Sequence, residues 1–284
     1  MKKQIKNLDL MNTKSLVELF LKEEQNTISS IKKEKLNIVK AISKILQKIN
    51  NGGRVIYIGA GTSGRLGILD ASECKPTFST DIFQAIIAGG KDAILQAKED
   101  SEDNIKNAIK DLKKINISNK DAVIGLSASG ETPYTLSAIR FAKKRGILTV
   151  GITSSPNSTL AKIPDYKITP ETKSEIIAGS SRLKSGTAQK ILLNMISSIT
   201  MTQSGKVYGN LMIDVQPKNK KLIKRAIGII SHICKVPLNI AEILFFKARK
   251  NTKAAIVMHY KKCDLSKATN LLKKADFNLR KLIG

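Results

Sequence analysis

Hydrophobic positions along the chain follow two spacings, one typical of buried strands and the other typical of helices. Short apolar runs predict strands at residues 55–58, 82–88, 122–126, 148–153 and 166–168. Apolar residues three or four positions apart predict a helix after the first strand and further helices at residues 93–98, 102–114, 133–145, 159–163 and 184–203. Strands that alternate with helices predict an α/β fold built on a doubly wound, mostly parallel sheet.

Helical periodicity without strands flanks this region on both sides. The N-terminal stretch predicts two helices, one capped by Thr13 or Ser15 and the other running from Thr27 to Ile49. The C-terminal stretch predicts several short helices that form a small bundle. We therefore expect an N-terminal helical segment at residues 1–48, an α/β domain at residues 49–215 and a C-terminal helical region at residues 216–284.

The first predicted strand runs into a glycine loop, Gly59-Ala60-Gly61-Thr62-Ser63-Gly64, that opens a helix. Backbone N–H groups and the positive end of the helix attract an anion at such a turn, and Thr62 and Ser63 add hydroxyl donors. The glycine spacing also fits a dinucleotide-binding loop. That interpretation expects an acidic residue at the end of the next strand, where this chain has Ala88-Gly89-Gly90. A phosphate site is therefore the favoured prediction, with no nicotinamide or flavin cofactor.

Two further hydroxyl-rich stretches precede predicted helices. The strand at residues 122–126 is followed by a loop with Ser127, Ser129, Gly130 and Thr132, and Pro133 suits the first turn of the next helix. The long helix at residues 184–203 is preceded by Ser180 and Ser181 and begins with Lys184. Ligands of doubly wound sheets bind beyond the carboxyl ends of the strands, so we predict that these loops form one sugar-phosphate pocket.

Composition excludes several classes of function. The net charge is +26, but 41 of the 49 basic residues are Lys, Trp is absent and aromatic residues make up 4%. We interpret this as a solvated lysine surface and predict no nucleic-acid partner. The sequence has no long apolar run and no secretory signal, so we expect a soluble, cytoplasmic protein without a membrane partner. Three scattered cysteines and two histidines predict neither a disulfide nor a metal site.

Four ordered segments carry a family resemblance: GAGTSGRLGILDASEC, ASGETPY, GSSRLKSGTAQK and SGKVYGNLMIDV. The first two loops resemble the phosphosugar-binding loops of SIS (sugar isomerase) domains. Together, the segments are similar to the N-acetylmuramic acid 6-phosphate etherases of bacterial cell-wall recycling. The resemblance covers nearly the whole chain, so it assigns the α/β domain as a SIS domain.

The resemblance implies a lyase without metal or organic cofactor. Its reaction converts N-acetylmuramic acid 6-phosphate into N-acetylglucosamine 6-phosphate and D-lactate by elimination and hydration. It implies two catalytic glutamates, Glu73 and Glu102, with Glu102 removing the C2 proton and Glu73 protonating lactate and then activating water. It also implies a homodimer with sites near the interface. The expected substrate ligands are Gly61, Thr62, Ser63, Ser127, Ser129, Gly130, Thr132, Ser180, Ser181 and Lys184.

The chain departs from the family pattern at a few positions. Lys75 replaces an expected proline, Glu131 replaces an expected arginine, and Asp100-Ser101 replaces an expected Gly-Ala pair. Glu131 is the departure of most concern, because a carboxylate beside a phosphate is repulsive unless its side chain points away. Two alternatives remain open: a non-catalytic sensor of sugar phosphates, and an aldose–ketose isomerase that leaves C3 untouched.

Overall fold

The computed structural model describes residues 7–217 and 219–284. The first six residues of the predicted N-terminal segment, and Lys218 of the predicted C-terminal region, lie outside the described residues. The chain divides into two compact units. The first joins the residues up to Ser72 to Ile82–Ser197, and the second joins Glu73–Asp81 to Ser198–Gly284. The domain boundaries expected near residues 48 and 215 stay predictions.

A five-stranded sheet forms the centre of the first unit. All neighbouring strands pair in parallel, in the order β2-β1-β3-β4-β5, which confirms the predicted fold class. Strands β1, β3 and β4 are buried along their whole length, as expected of a parallel sheet covered on both faces. The strands are β1 (Val55–Gly59), β2 (Phe83–Ile87), β3 (Ala122–Leu126), β4 (Leu148–Ile152) and β5 (Tyr166–Ile168).

Helices precede and connect these strands. Two of them, α3 and α7, continue into the second unit. The bounds are α1 (Thr13–Lys33), α2 (Lys35–Asn50), α3 (Gly61–Phe78), α4 (Asp92–Leu95), α5 (Ile105–Lys114), α6 (Pro133–Lys144) and α7 (Lys184–Met201). The predicted helix at residues 159–163 is a single 3₁₀ turn, Thr159–Ala161.

The N-terminal helices differ from the prediction in their caps and in their division. Asn12, and neither Thr13 nor Ser15, caps α1, because its Oδ1 accepts the N–H of Ser15 at 2.9 Å. The predicted helix from Thr27 to Ile49 is wrong, because the chain breaks at Glu34. The Glu34 carboxylate accepts the backbone N–H of Thr169, just after β5, at 2.9 Å. This long-range bond holds the break between α1 and α2.

The helix predicted over residues 102–114 is also shorter than expected. Residues Glu99–Asp103 form a 3₁₀ turn, and α5 begins only at Ile105. Asn104 caps α5 by accepting the N–H of Asn107 at 3.1 Å. Glu102 therefore lies before α5 and outside its first turn. The 3₁₀ turn presents Glu102 on an exposed surface.

The second unit is helical and has its own apolar core. A short hairpin of β6 (Val207–Tyr208) and β7 (Leu211–Met212) precedes the helices. The core includes Phe245, Ala254, Ile256 and Leu272, which confirms that this region is a helical bundle. Its helices are α8 (Lys220–Cys234), α9 (Leu238–Lys247), α10 (Thr252–Lys261), α11 (Leu265–Lys274) and α12 (Arg280–Ile283).

Candidate active site

The glycine loop after β1 is shaped by close backbone approaches. A Cβ on Gly59 would lie 2.8 Å from the carbonyl oxygen of Leu126, and one on Gly64 would lie 2.6 Å from the side chain of Ile87. Gly61 has a φ of +51°, a conformation that glycine adopts without strain. The loop therefore brings the start of α3 against the ends of β2 and β3, and Ser63 is buried there.

The serine loop after β3, residues 127–132, is held by its own hydroxyl groups. Ser127 Oγ lies 2.9 Å from Thr132 Oγ1 and 3.3 Å from Ser129 Oγ, and it accepts the N–H of Gly130 at 3.0 Å. Thr132 directly precedes α6, but its hydroxyl bonds to Ser127 and does not cap the helix. The loop thus gathers three hydroxyl groups directly ahead of the amino end of α6, a set of donors that phosphate sites use.

Sheet topology places these two loops next to each other. Gly59 and Leu126, the last residues of β1 and β3, are paired across the sheet. The strand order reverses at β1, since the chain passes from β1 to β2 on one side and from β3 to β4 on the other. The crevice between β1 and β3 is therefore the switch point where doubly wound sheets bind their ligands.

A cavity of about 890 Å³ brings the second and third predicted stretches together. Ser129 and Ser181 both line it, together with Ser154, Ser155 and Lys173. The glycine loop approaches the third stretch separately, since a Cβ on Gly186 would lie 3.7 Å from Cγ2 of Thr62. The other predicted ligands are outside the described residues that line this cavity. They are Gly61, Thr62, Ser63, Ser127, Gly130, Thr132, Ser180 and Lys184.

The amino end of α7 is already occupied by a carboxylate of the same chain. Glu175 accepts the N–H groups of Lys184 at 2.9 Å and Ser185 at 3.0 Å, and also the Ser185 hydroxyl at 2.7 Å. A phosphate would have to displace this carboxylate to reach these donors. Glu175 was not among the predicted site residues, because it lies nine residues before Lys184 and fits no local capping pattern.

Lys184 has a different neighbour from the one predicted. The side chain is 1% exposed and its Nζ lies 2.5 Å from the carboxylate of Glu23 on α1. The ammonium charge is thus paired inside the first unit. Lys173 is the one cationic side chain among the described residues that line the cavity.

The two glutamates expected to be catalytic are both exposed in the single chain. Glu102 lies close to the carboxyl end of β2, since a Cβ on Gly89 would lie 2.8 Å from Oγ of the adjacent Ser101. Glu73 lies on α3 beside the buried Cys74 and belongs to the second unit. Neither side chain has, in the single chain, the burial that a proton-transfer carboxylate needs.

A third carboxyl group, Asp70, is buried on α3. Burial raises its pKa, although Tyr57 and Ser197 donate hydrogen bonds to it at 3.0 and 3.2 Å. These bonds tie α3 to β1 and to α7. Asp70 is therefore a structural acid of the first unit, and no sequence motif predicted it.

The described residues were compared with the requirements of a metal site and of a membrane-spanning helix. They contain no cluster of three or more His, Cys, Asp or Glu side chains that could hold a metal. None of the helices described is by itself long and apolar enough to cross a membrane. The bent pair α8 and α9 reaches that length and composition only when the two are taken together.

Comparison with known proteins identifies the family. The model of the glucokinase regulatory protein N-terminal SIS domain matches residues 37–143, and the SIS domain model matches residues 104–198. An N-acetylmuramic acid 6-phosphate etherase of Francisella tularensis subsp. holarctica is 46% identical over 94% of this chain and 92% of its own length. One of Clostridium acetobutylicum is 46% identical over 98% of this chain and 92% of its own. The chain belongs to the N-acetylmuramic acid 6-phosphate etherase family.

Solved structures agree with this family at the level of the fold. A phosphoheptose isomerase from Francisella tularensis superposes with a TM-score of 0.55 at 16% identity, over 68% of this chain and 100% of its own. The similarity covers the SIS fold alone. The glycine loop, most of the serine loop and Glu73 lie in the segments that carried the resemblance, whereas Glu102 lies outside them.

The fit of Gly130 provides a test of the serine loop. Its φ is +74°, and a Cβ would lie 2.1 Å from Oγ of Ser158. We expect Gly130→Ala to lower the free energy of unfolding by about 3 kcal/mol, since backbone strain and overpacking add. Gly146→Ala is the matched control, because Gly146 has a φ of +67° with no atom within 4 Å of its Cβ position.

We expect that control to lose only about 1 kcal/mol, the cost of the backbone conformation. Urea unfolding of the two variants and the wild type measures the difference. Equal losses in both variants would show that the serine loop yields easily and that its packing against Ser158 carries no energy.

Proposed function

We propose that this chain cleaves the D-lactyl ether of N-acetylmuramic acid 6-phosphate, giving N-acetylglucosamine 6-phosphate and D-lactate. The observation that carries the proposal is 46% identity to etherases over nearly the full chain, together with two phosphate loops at the switch point of the sheet. The cell process is recycling or catabolism of cell-wall amino sugars, and the compartment is the cytoplasm.

The chemistry follows from the substrate. An ether resists direct hydrolysis, but the open-chain sugar has an aldehyde next to C2, so the C2 proton is acidic enough for a positioned base. Removal of that proton forms the C2–C3 double bond while the C3–O bond breaks and lactate leaves with a proton from an acid. Water then adds at C3 and a proton returns to C2. We assign the base to Glu102 and the acid, which later activates water, to Glu73.

Substrate contacts follow the geometry of the loops. We assign the phosphate to the glycine loop, through Gly61, Thr62 and Ser63, and to the hydroxyl groups of the serine loop. Ser129 and Ser181 line the cavity into which the sugar would extend. Because Glu175 occupies the amino end of α7, we assign Ser181, which lines the cavity, to the sugar. Ser180 and Lys184 are assigned to support of the cavity wall.

The exposure of both glutamates gives a reason for a homodimer, because a proton-transfer carboxylate needs a site shielded from water. The family resemblance implies a dimer with its sites near the interface. We propose that a second copy of the chain supplies Glu73, and that its approach buries both glutamates.

The test is release of D-lactate from N-acetylmuramic acid 6-phosphate by the wild-type protein in heavy-oxygen water. The proposal expects lactate and heavy oxygen at C3 of the amino sugar, because water replaces the ether oxygen. Binding of sugar phosphate without lactate would support the sensor alternative. Interconversion of an aldose and a ketose with C3 intact would support the isomerase. Lactate without heavy oxygen at C3 would overturn elimination and hydration.

A further inference from the structure

Glu131, the acidic residue inside the serine loop, has both carboxylate oxygens engaged. Oε1 accepts the backbone N–H of Thr159 at 2.7 Å, and Oε2 accepts the Thr159 hydroxyl at 2.7 Å. Thr159 begins the single 3₁₀ turn after β4, and Ser158 before it makes no side-chain cap. The Glu131 carboxylate thus caps a turn in a different loop, 28 residues away.

Further contacts join the same two loops. We call residues 153–161 the β4 loop. The N–H of Ser154 donates to the carbonyl of Ala128 at 3.1 Å, and the N–H of Leu160 donates to the carbonyl of Gly130 at 3.0 Å. The serine loop and the β4 loop therefore form one layer. Side-chain bonds to this layer come from Glu131 and from Thr153, whose hydroxyl donates to the carbonyl of Ala128 at 3.2 Å.

This layer carries cavity residues from both loops. Ser129 of the serine loop and Ser154 and Ser155 of the β4 loop line the cavity, whereas Glu131 is outside the described residues that line it. The carboxylate is therefore directed at Thr159 and not into this cavity. Hydrogen bonds from Thr159 lower the pKa of Glu131, and the charges of Lys162 and Arg140 act in the same direction. The repulsion that a glutamate would exert on a bound phosphate is thus reduced by its orientation and by its neighbours.

We propose that Glu131 is a positioning residue that holds the β4 loop so that Ser154 and Ser155 meet the substrate bound on the serine loop. The proposal rests on the proposed function for the identity of the substrate. Glu131 then affects substrate affinity and not the catalytic step. The glutamate that replaces the expected arginine stabilises the contact between the two loops through its hydrogen bonds to Thr159.

The experiment measures kcat and KM for lactate release in Glu131→Ala, Glu131→Gln and Thr159→Ala. We expect Glu131→Ala to raise KM about fivefold or more and to change kcat less than about twofold, because substrate binding alone is affected. Glu131→Gln should stay near the wild type, since an amide oxygen accepts from the Thr159 N–H and its NH₂ group donates to the hydroxyl. The double variant Glu131→Ala/Thr159→Ala should be no worse than Glu131→Ala.

A second measurement separates this proposal from the proposed function. Calorimetric binding of N-acetylglucosamine 6-phosphate requires no turnover, and Glu131→Ala should weaken it by a similar factor. In a Ser154→Ala/Ser155→Ala background, Glu131→Ala should have little further effect. A wild-type KM and affinity in Glu131→Ala, additive effects of Glu131→Ala and Thr159→Ala, or a loss confined to kcat would each overturn the positioning role. Absence of lactate release by the wild type would instead overturn the proposed function. The calorimetric affinities of the wild type and Glu131→Ala would then decide the positioning role by themselves.

Discussion

Glu73→Gln and Glu102→Gln are each expected to lower kcat for lactate release by about a hundredfold or more. A positioned acid or base contributes a factor of that size, and glutamine keeps the shape of glutamate while it can neither accept nor donate the reacting proton. Steady-state assays of lactate measure the loss. Glu99→Gln, in the same 3₁₀ turn as Glu102, and Lys75→Gln, on the same helix as Glu73, are matched controls. Near-wild-type kcat in either glutamate variant would remove that residue from the mechanism.

Exchange of the C2 hydrogen in heavy water assigns the two roles. A variant that lacks the acid still has the base, so it should exchange the C2 hydrogen without releasing lactate. A variant that lacks the base should do neither. We expect Glu73→Gln to exchange and Glu102→Gln not to exchange. The reverse pattern would keep both residues catalytic but interchange their roles.

Mixed dimers test whether the second copy supplies Glu73. If each site combines Glu102 of one chain with Glu73 of the other, a dimer of one Glu73→Gln chain and one Glu102→Gln chain has one intact site. Random mixing of the two inactive variants should then restore about a quarter of wild-type activity. A mixture that stays inactive after subunit exchange, confirmed by differently tagged chains, would contradict the shared site.

Much of the fold could be predicted from the sequence because the patterns that indicate it are local. Buried parallel strands appear in the sequence as short apolar runs, and β3 and β5 have the predicted bounds. The glycine loop follows from three glycines in one turn. The break at Glu34 has no such signal, because its carboxylate bonds to Thr169, 135 residues away. The apolar pattern continues through the break, so the second helix was predicted to begin at Thr27, eight residues before the start of α2.

The same distinction applies to the candidate site. Hydroxyl groups after β1 and β3 predicted the phosphate loops, since strand ends in a parallel sheet converge. The occupant of the α7 amino end lies nine residues before the helix, and the partner of Glu131 lies 28 residues away, so neither follows from a local pattern. A serine-rich stretch before a helix looks alike whether it is empty or filled by a carboxylate such as Glu175. The assignment of individual residues as substrate ligands therefore stays a prediction. Lys184 is the residue whose observed contact, an ion pair with Glu23, differs most from the predicted one.

Lys184→Met is expected to lower the free energy of unfolding by about 3 kcal/mol. The side chain is almost fully buried and pairs with Glu23, so removing its charge leaves a partly buried carboxylate without its partner. Urea unfolding measures the loss. Lys190→Met is the control on the same helix. Lys190 is about one-third exposed and lies 4.0 Å from Asp70, so its loss should cost about 0.5 kcal/mol.

Two roles for Lys184, as the ion-pair partner of Glu23 and as a phosphate ligand, predict opposite results in a double variant. If Lys184 serves the ion pair, Lys184→Met/Glu23→Leu should recover most of the lost stability, because an apolar pair replaces a buried ionic one at little net cost. It should recover activity along with stability. If Lys184 binds the phosphate, Lys184→Met should fold like the wild type with a raised KM, and the second substitution should not lower that KM. The buried geometry favours the first result, since an ammonium 2.5 Å from a carboxylate is no longer a free charge for the substrate.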